Sequence, residues 1–365
     1  MDKRVLVALS GGVDSAVAAF LLCSSGLDIS AVYMRTWQND DGLGDCPWKE
    51  DMESARSVAE HLSIPFSIVN MIDFYRKHVV ESLLHGYGSG TTPNPDILCN
   101  QYIKFGVLLE YACKHGFCKL ATGHYCRIVH QNETFRLLQG IDGEKDQSYF
   151  LSRIHSTSLP WILFPIGHLC KCDVRAIAKE ANLPNASRKE SQDICFLGGK
   201  ISLQSFLTSH FTPNEGNIVT MDGRIVGRHN GLYRYTLGQR KGIGVPSNCD
   251  FEKFVVVGKN LKKNELIVAF ESNPKNGLLR NFITLRDVHF LANPLHGTHH
   301  MLAKVRYRDA STPMSITFHD EGRATVNFVH GQRALAEGQI LAFYSGNWLL
   351  GSGIYDAVDE PSAKI

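Results

Sequence analysis

The run Ser10-Gly11-Gly12-Val13-Asp14-Ser15 lies between an apolar stretch, Val5 to Leu9, and an alanine-rich one, Ser15 to Leu22. That order predicts a buried strand, a tight turn and a helix, and it commits the first part of the chain to an α/β arrangement in which strands feed helices. Two adjacent glycines let the backbone turn sharply and come close to a ligand. Ser10, Ser15 and the first N–H groups of the helix offer donors to phosphate oxygens. An anion, read here as a nucleotide phosphate, is expected in the turn. The run has neither the Lys-Ser/Thr ending of a Walker loop nor the Gly-x-Gly-x-x-Gly of a dinucleotide fold. A tight βα turn that binds nothing shares the geometry but rarely this composition.

The same alternation repeats downstream. Ile29 to Met34, Phe66 to Val69 and Lys119 to Thr122 are further strand candidates. Between them Met52, Ala55, Val58, Ala59 and Leu62, and then Phe105, Leu108, Leu109 and Ala112, recur at helical spacing. This predicts a Rossmann-like parallel sheet wrapped by helices, with ligands beyond the carboxyl ends of its strands, where the Ser10 to Ser15 turn lies. After Cys195 the pattern changes. Residues 201–208 read as a last short helix, and from about Gly216 short alternating runs dominate, with Asp222-Gly223 as a hairpin turn. The Asn-, Pro- and Gly-rich stretch Ser272 to Gly277 reads as a break, and the six or so short strands beyond it suffice for a small barrel. Three parts are expected: residues 1–199 with the phosphate loop, a small β-rich middle module over 200–275 that contacts a polyanion, and a C-terminal β-barrel over 276–365.

At 365 residues and 44% apolar content the chain has material for more than one core. No apolar run approaches the roughly 20 residues that span a bilayer. Met1-Asp2-Lys3-Arg4 leads into a strand rather than a signal-peptide core, so a cytoplasmic address and no membrane partner are expected. There the ten cysteines read as reduced thiols, none in Cys-x-x-Cys spacing. Cys170 with Cys172, and Cys113 with Cys118, could ligate a metal, and His299-His300 is a pair without a third ligand. Ordinary thiols and a surface pair account for them, so no bound metal of that kind is expected. Residues 200–310 carry 16 Lys and Arg against 8 Asp and Glu, while the remainder carries 22 against 28. The basic part suits a polyanion, although a solvated surface has the same count.

Two cysteines stand out by their surroundings. Cys99 ends the stiff run Thr92-Pro93-Asn94-Pro95-Asp96-Ile97-Leu98, ahead of a helix expected to begin near Ile103, whose dipole would lower a thiol pKa. Cys195, in Glu190-Ser191-Gln192-Asp193-Ile194-Cys195-Phe196, follows Arg188 and Lys189 and also precedes a helix. Each alone reads more readily as an inert core thiol. Beside a phosphate loop, the two together point to a redox-active pair that carries sulfur.

Six blocks, in this order, resemble the bacterial tRNA 2-thiouridylases almost end to end. They are Ser10 to Ser15, Asn94 to Asn100, Ala121 to Tyr125, Lys145 to Leu151, Ile194 to Phe196 and Thr236 to Gly242. The first alone also fits other enzymes that split ATP into AMP and pyrophosphate, among them asparagine, GMP and argininosuccinate synthetases and tRNA lysidine synthetase. The resemblance implies an adenine-nucleotide α-hydrolase-like fold and ATP-dependent 2-thiolation of the wobble uridine in tRNAs for Lys, Glu and Gln. In that chemistry the C2 oxygen is adenylated and sulfur displaces AMP. It implies that Cys195 bears a persulfide and that Cys99 is the nucleophile that attacks it, releasing sulfide or closing a Cys99–Cys195 disulfide; either route needs the two Cα atoms within roughly 7 Å and a reductant.

Ala8, Leu9, Ser10, Gly11, Gly12, Val13, Asp14, Ser15, Met34 and Gly123 would face ATP, with Asp14 acting through Mg²⁺. Asn94, Pro95 and Asp96 would meet the target base, flipped out of the anticodon stack, with Asp96 as acid or base; a capping role for Asp96 is the plainer alternative. His124, Lys145, Asp146, Gln147, Arg306, Tyr307 and Gln339 would contact tRNA. Arg306-Tyr307-Arg308 suits phosphate contact and base stacking in its own right, although alternating Arg on a strand is also an ordinary solvated face. The sulfur donor would be a cysteine desulfurase or a persulfide relay protein, and a monomer per tRNA is expected.

One departure stands out. Many relatives read Ser-Thr-Gly-Ile-Cys-Phe where this chain has Ser191-Gln192-Asp193-Ile194-Cys195-Phe196, so Asp193 adds a negative charge that raises the thiol pKa unless Arg188 or Lys189 offsets it. The Asp- and Gly-rich loop from Gln38 to Trp48, holding Cys46, is expected to order on ligand binding. An amide-forming ATP pyrophosphatase would leave both cysteines without a task and lacks a glutaminase region. A non-catalytic tRNA-binding or sulfur-relay protein would not need the phosphate loop and both cysteines intact.

Overall fold

Residues Arg4–Ala8 form β1, whose apolar side chains alternate between two cores: Val5 and Val7 face one, Leu6 the other. The computed structural model describes residues 4–38, 48–189, 202–246, 252–273 and 277–356. After β1 come α1 (Val13–Ser24), β2 (Asp28–Arg35), α2 (Trp48–His61) and β3 (Phe66–Asn70). A helical layer follows: α3 (Ile72–Tyr75), a π-helical turn to α4 (Glu81–Gly88), then α5 (Pro95–Leu98), a π-helical stretch over Cys99–Val107 and α6 (Leu108–Lys114). β4 (Lys119–Ala121) returns to the sheet, β5 (Cys126–Gln131) and β6 (Thr134–Gln139) form a hairpin, and β7 (Ile162–Leu163) and α7 (Lys171–Glu180) complete the region. The sheet runs β3-β2-β1-β4-β7 with every pairing parallel, as the alternating pattern predicts.

Small side chains bring the helices close. Ala16, Val17, Ala18 and Ala19 of α1 and Ala55, Val58 and Ala59 of α2 are buried against one face, while Leu83, Ile97, Ile103, Phe105 and Leu108 cover the other. Burial on both faces explains why the inner strands β1 and β4 read as apolar runs rather than as alternation.

Beyond α8 (Leu203–His210), capped by Ser202, lies a four-stranded sheet. It consists of β8 (Gly216–Thr220), β9 (Ile225–His229), β10 (Phe254–Asn260) and β11 (Glu265–Phe270) in the order β10-β11-β8-β9. The β8–β9 hairpin turns where Asp222-Gly223 predicts, with Gly223 at φ +85°. Six further strands, β12 (Leu279–Phe290), β13 (Gly297–Lys304), β14 (Thr312–Phe318), β15 (Ala324–Arg333), β16 (Ile340–Ser345) and β17 (Trp348–Tyr355), close into an antiparallel barrel through a β12–β17 pairing.

Two features depart from the expectations. The β5–β6 hairpin turns on Asn132 and Glu133, both at positive φ, and extends the barrel sheet through Leu138 opposite Trp348. Arg136 stacks over the Trp348 ring at 4.2 Å. The first part of the chain thus supplies two strands to the sheet of the last. The helix expected near Ile103 instead starts at Pro95: the Asn94 side-chain Oδ1 accepts from the N–H groups of Asp96 (3.0 Å) and Ile97 (3.2 Å), and proline suits the first helical position.

Candidate active site

β1 delivers Ala8 and Leu9 to a turn in which Gly11 adopts φ +82° and Gly12 is extended, with no side chain capping α1. The helix's first N–H groups therefore lack a side-chain acceptor. The Ser10 and Ser15 hydroxyls lie 3.2 Å apart. Ser15 Oγ donates to the Gly12 carbonyl at 3.0 Å, and the Ser10 N–H donates to Ser15 Oγ at 3.2 Å. The turn is held from behind, because the Gly11 carbonyl accepts from Ser54 Oγ (2.8 Å), Asn185 Nδ2 (2.9 Å) and Arg188 Nη1 (3.0 Å), and Arg188 also pairs with Asp51. Val13 is buried beneath it, and Met34, near the end of β2, packs partly buried against the core.

Gly123, two residues after β4, meets the start of α1 so closely that a Cβ would lie 2.6 Å from the Ser15 nitrogen. Asp14, in the first turn of α1, accepts from Tyr125 Oη at 2.8 Å and from Lys171 Nζ at 2.6 Å. Among the described residues no three His, Cys, Asp or Glu side chains gather as a metal-holding group.

Cys99 is buried one turn inside the helix that begins at Pro95. This corrects the dipole reading. The helix-terminus field fades within the first turn, and the side chain in that turn is Asp96, not Cys99. Burial raises the Asp96 carboxyl above the ordinary carboxylate range, and the nearby Lys104 ammonium opposes the rise. Lys104 also acts on His124, whose imidazole is pushed well below its usual value chiefly by burial and further by that positive charge. His124 is only 8% exposed, sits 2.7 Å from Thr122 Oγ1 through Nδ1, and packs its ring 5.7 Å from Phe105 and 5.9 Å from Phe164. Burial and the Lys104 charge both disfavour the protonated imidazole at this packed position. A chain of contacts thus runs from the phosphate-loop candidate through Gly123 and His124 to the Phe105–Lys104 helix that carries Asp96 and Cys99.

The segment after β6 joins this helix to the barrel. Phe150 O accepts from Asn100 Nδ2 at 3.2 Å, and Tyr149 Oη donates to Ile340 O at 2.9 Å. Asp146 is buried and accepts from Lys304 Nζ (2.6 Å), Gln139 Nε2 (3.1 Å), the Gly140 N–H (3.1 Å) and the N–H and hydroxyl of Ser148 (3.1 and 3.0 Å). Gln147 Oε1 accepts from the Tyr125 N–H at 3.0 Å, and Lys145 lies half-buried beside it. Tyr307 packs at a tilt against Phe150, with ring centroids 4.3 Å apart. Arg306 donates to the Arg333 carbonyl at 2.7 Å and to that of Ala334, and Gln339 keeps a buried Oε1 with no hydrogen-bond partner. Thr92 donates to Glu337 O at 2.8 Å and Lys259 Nζ to Gly90 O at 3.2 Å, so the loop before Asn94 is gripped by the barrel and by the middle sheet.

The structure brings Asn94, Pro95, Asp96 and Cys99 onto one helix start. It places Asp146 and His124 inside the protein and Lys145, Arg306 and Tyr307 nearer its surface. Cys195, Asp193 and Cys46 lie outside the described residues. Lys104 and Lys171 carry no motif of their own: Lys104 follows Cys99 by one π-helical turn, and Lys171 reaches Asp14 across 157 positions of sequence.

A parallel α/β sheet with a phosphate-loop candidate at its carboxyl edge, a second small sheet and a closed barrel match three family models in order. These are a tRNA methyl transferase HUP domain over residues 3–199, a tRNA methyl transferase PRC-barrel domain over 204–270 and an aminomethyltransferase beta-barrel domain over 280–355. The tRNA-specific 2-thiouridylase MnmA of Akkermansia muciniphila is 42% identical over 357 residues, covering 98% of this chain and 99% of the relative. That of Bacillus subtilis is 40% identical over 367 residues, covering 100% and 98%. The chain belongs to the tRNA-specific 2-thiouridylase family of tRNA sulfurtransferases.

Proposed function

We propose that this chain adenylates the C2 oxygen of the wobble uridine in tRNAs for Lys, Glu and Gln and replaces that oxygen with sulfur. Family membership supports tRNA thiolation. The observation that carries the finer reading is the continuity of the site: Gly123 against the start of α1, His124 against Phe105, and Lys104 acting on both His124 and Asp96. An activated base bound there would have phosphate donors on one side and Cys99 on the other. We assign the chemistry to the part over 1–199 and tRNA contacts to the modules over 200–275 and 276–365, with one chain acting on one tRNA.

In this reading the uridine C2 oxygen attacks the α-phosphorus of ATP and pyrophosphate leaves. Ser10, Ser15 and the first N–H groups of α1 hold the departing phosphates, and the Lys171 ammonium beside Asp14 offsets their charge. A single carboxylate already accepting from Lys171 and Tyr125 suits an ion that completes its shell with phosphate and water, so Asp14 would hold Mg²⁺, which when bound screens the triphosphate. Asp96, with its raised pKa and first-turn position, would hold a proton near the base. Cys195 would carry the sulfane sulfur as a persulfide. By one route the Cys99 thiolate attacks the Cys195 sulfur, forming a disulfide and releasing sulfide, which adds at C2 and expels AMP. By the other the persulfide's terminal sulfur adds at C2 and expels AMP first, and Cys99 then displaces the thiolated base from Cys195, leaving the same disulfide. A dithiol reductant restores both thiols.

Mass spectrometry of nucleosides from a substrate tRNA incubated with the protein, Mg²⁺-ATP and a persulfide donor tests this. 2-Thiouridine is expected with the wild-type chain and absent with Cys99→Ser or Cys195→Ser. AMP release without thiolation would overturn the sulfur-transfer reading in favour of an amide-forming ATP pyrophosphatase. A chain that binds tRNA but releases no AMP would favour a relay protein.

A further inference from the structure

We propose that Arg240, Lys241 and Arg333 form a docking strip for the sugar–phosphate backbone of tRNA at the junction of the middle sheet and the barrel. This rests on the tRNA reading above and extends it to the Thr236–Gly242 loop, which has no task in the reaction just described.

The loop is built rather than merely exposed. Gln239 Oε1 accepts from the Thr236 N–H at 3.1 Å and its Nε2 donates to Lys241 O at 2.9 Å, while the Gly238 N–H donates to Val256 O at 2.8 Å. This internal bracing leaves Arg240 and Lys241 exposed at the turn. Gly238, at φ +84°, comes so near the barrel that a Cβ would lie 2.6 Å from Ala334 Cβ, and Leu237 packs in the small cluster of Val255, Leu278 and Ala334. The loop is therefore fixed to the same backbone that Arg306 grips through the carbonyls of Arg333 and Ala334.

Charge follows that backbone. Glu271 Oε1 accepts from Arg240 Nη1 at 3.2 Å and from Arg333 Nη2 at 2.7 Å, so one carboxylate spaces two guanidinium groups whose side chains remain 61% and 44% exposed. Behind Arg240 an open groove of about 370 Å³ is lined by Lys253, Gly242 and Gly244, both glycines at positive φ. Arg333, Arg240, Lys241 and Lys253 thus gather at the junction, with Glu271 between the two arginines and Glu252 held beside it by Ser272. Cations gathered along a built junction beside an open groove suit backbone phosphates, read without regard to sequence. Thr236, at the start of the loop, hydrogen-bonds the Tyr87 phenol on α4, the helix that precedes the Asn94–Cys99 segment.

Filter binding of tRNA across a salt series tests the strip. Arg240→Ala with Lys241→Ala is expected to weaken binding about tenfold at 0.1 M salt and to make the slope of log affinity against log salt shallower by about 1 to 2. Glu271→Gln, which removes the carboxylate between the two arginines, is expected to tighten binding, an effect that misfolding cannot mimic. Affinities and slopes equal to wild type in both variants would overturn the strip while leaving the tRNA reading intact. Wild-type protein that binds tRNA no better than heparin would overturn both. Unchanged tRNA affinity with weaker capture of a persulfide-donor protein would reassign the strip to a protein partner and also overturn it.

Discussion

Lys171 Nζ stands 2.6 Å from Asp14 Oδ1, with the Lys171 side chain only 14% exposed. The cation is thus stored at the start of α1, where phosphate charge is expected. Lys171→Met should raise KM for ATP roughly tenfold and cost about 1–2 kcal/mol of stability, since Asp14 keeps only Tyr125 among these two donors. Steady-state pyrophosphate release and urea denaturation check the two effects separately.

Gly123→Ala places a methyl group against the Ser15 nitrogen and the Asp14 carbonyl carbon, both backbone atoms that cannot swing away. Overpacking of this kind costs about 1–3 kcal/mol. The shift in α1 should also weaken ATP binding, measured by isothermal titration on the folded fraction.

Asn94 accepts two backbone N–H groups at the helix start, so Asn94→Ala should cost about 1 kcal/mol, and Asn94→Asp should restore it. Thiolation separates capping from base contact. Activity retained in Asn94→Asp would leave the residue with a cap alone, whereas activity lost at full stability supports a contact with the base.

The Asp146–Lys304 pair is buried on both sides. Lys304→Met leaves a buried carboxylate with neutral donors only and should lower stability by about 3–5 kcal/mol. Adding Asp146→Asn should recover part of the loss, so that the double variant is more stable than the sum of the single changes, read from urea midpoints.

Burial lowers Lys259 from 10.5 to about 8, with Glu337 pulling the other way. Between those values the unfolded chain binds the proton and the folded chain does not, so stability rises with pH across that window and is lost again as pH falls through about 8. Lys259→Met should flatten the rise. Denaturation midpoints at pH 8, 9 and 10 will show it.

The parallel sheet was legible because its strands are continuous apolar runs and its helices repeat at 3.6 residues. Ala55, Val58 and Ala59, like Leu108, Leu109 and Ala112, turn out buried as their spacing requires. The β5–β6 hairpin was not legible. Its turn uses Asn132-Glu133 without a glycine, and its partner strand β17 lies far along the chain. The helix start was hidden for a different reason: Asn94-Pro95 reads as a stiff loop until the cap geometry shows that proline opens the helix. Within the candidate site, local motifs announced Ser10 to Ser15 and Cys99. Lys171 and Lys104 matter through partners that only the fold brings near, and no local pattern marks such residues.

The pairing of Leu138 with Trp348 sets a timetable for assembly. As the chain leaves the ribosome, β5 and β6 can form their turn early, but the outer edge of β6 has to wait about 210 residues for the strand that covers it. Until then Asp146 lacks Lys304, Tyr149 lacks the Ile340 carbonyl, and the segment bonded to Asn100 has no floor. The half that carries the phosphate loop and Cys99 therefore reaches its finished form only after the barrel has closed. A nascent or prematurely terminated chain would hold the phosphate-loop candidate and Cys99 on an unfinished scaffold.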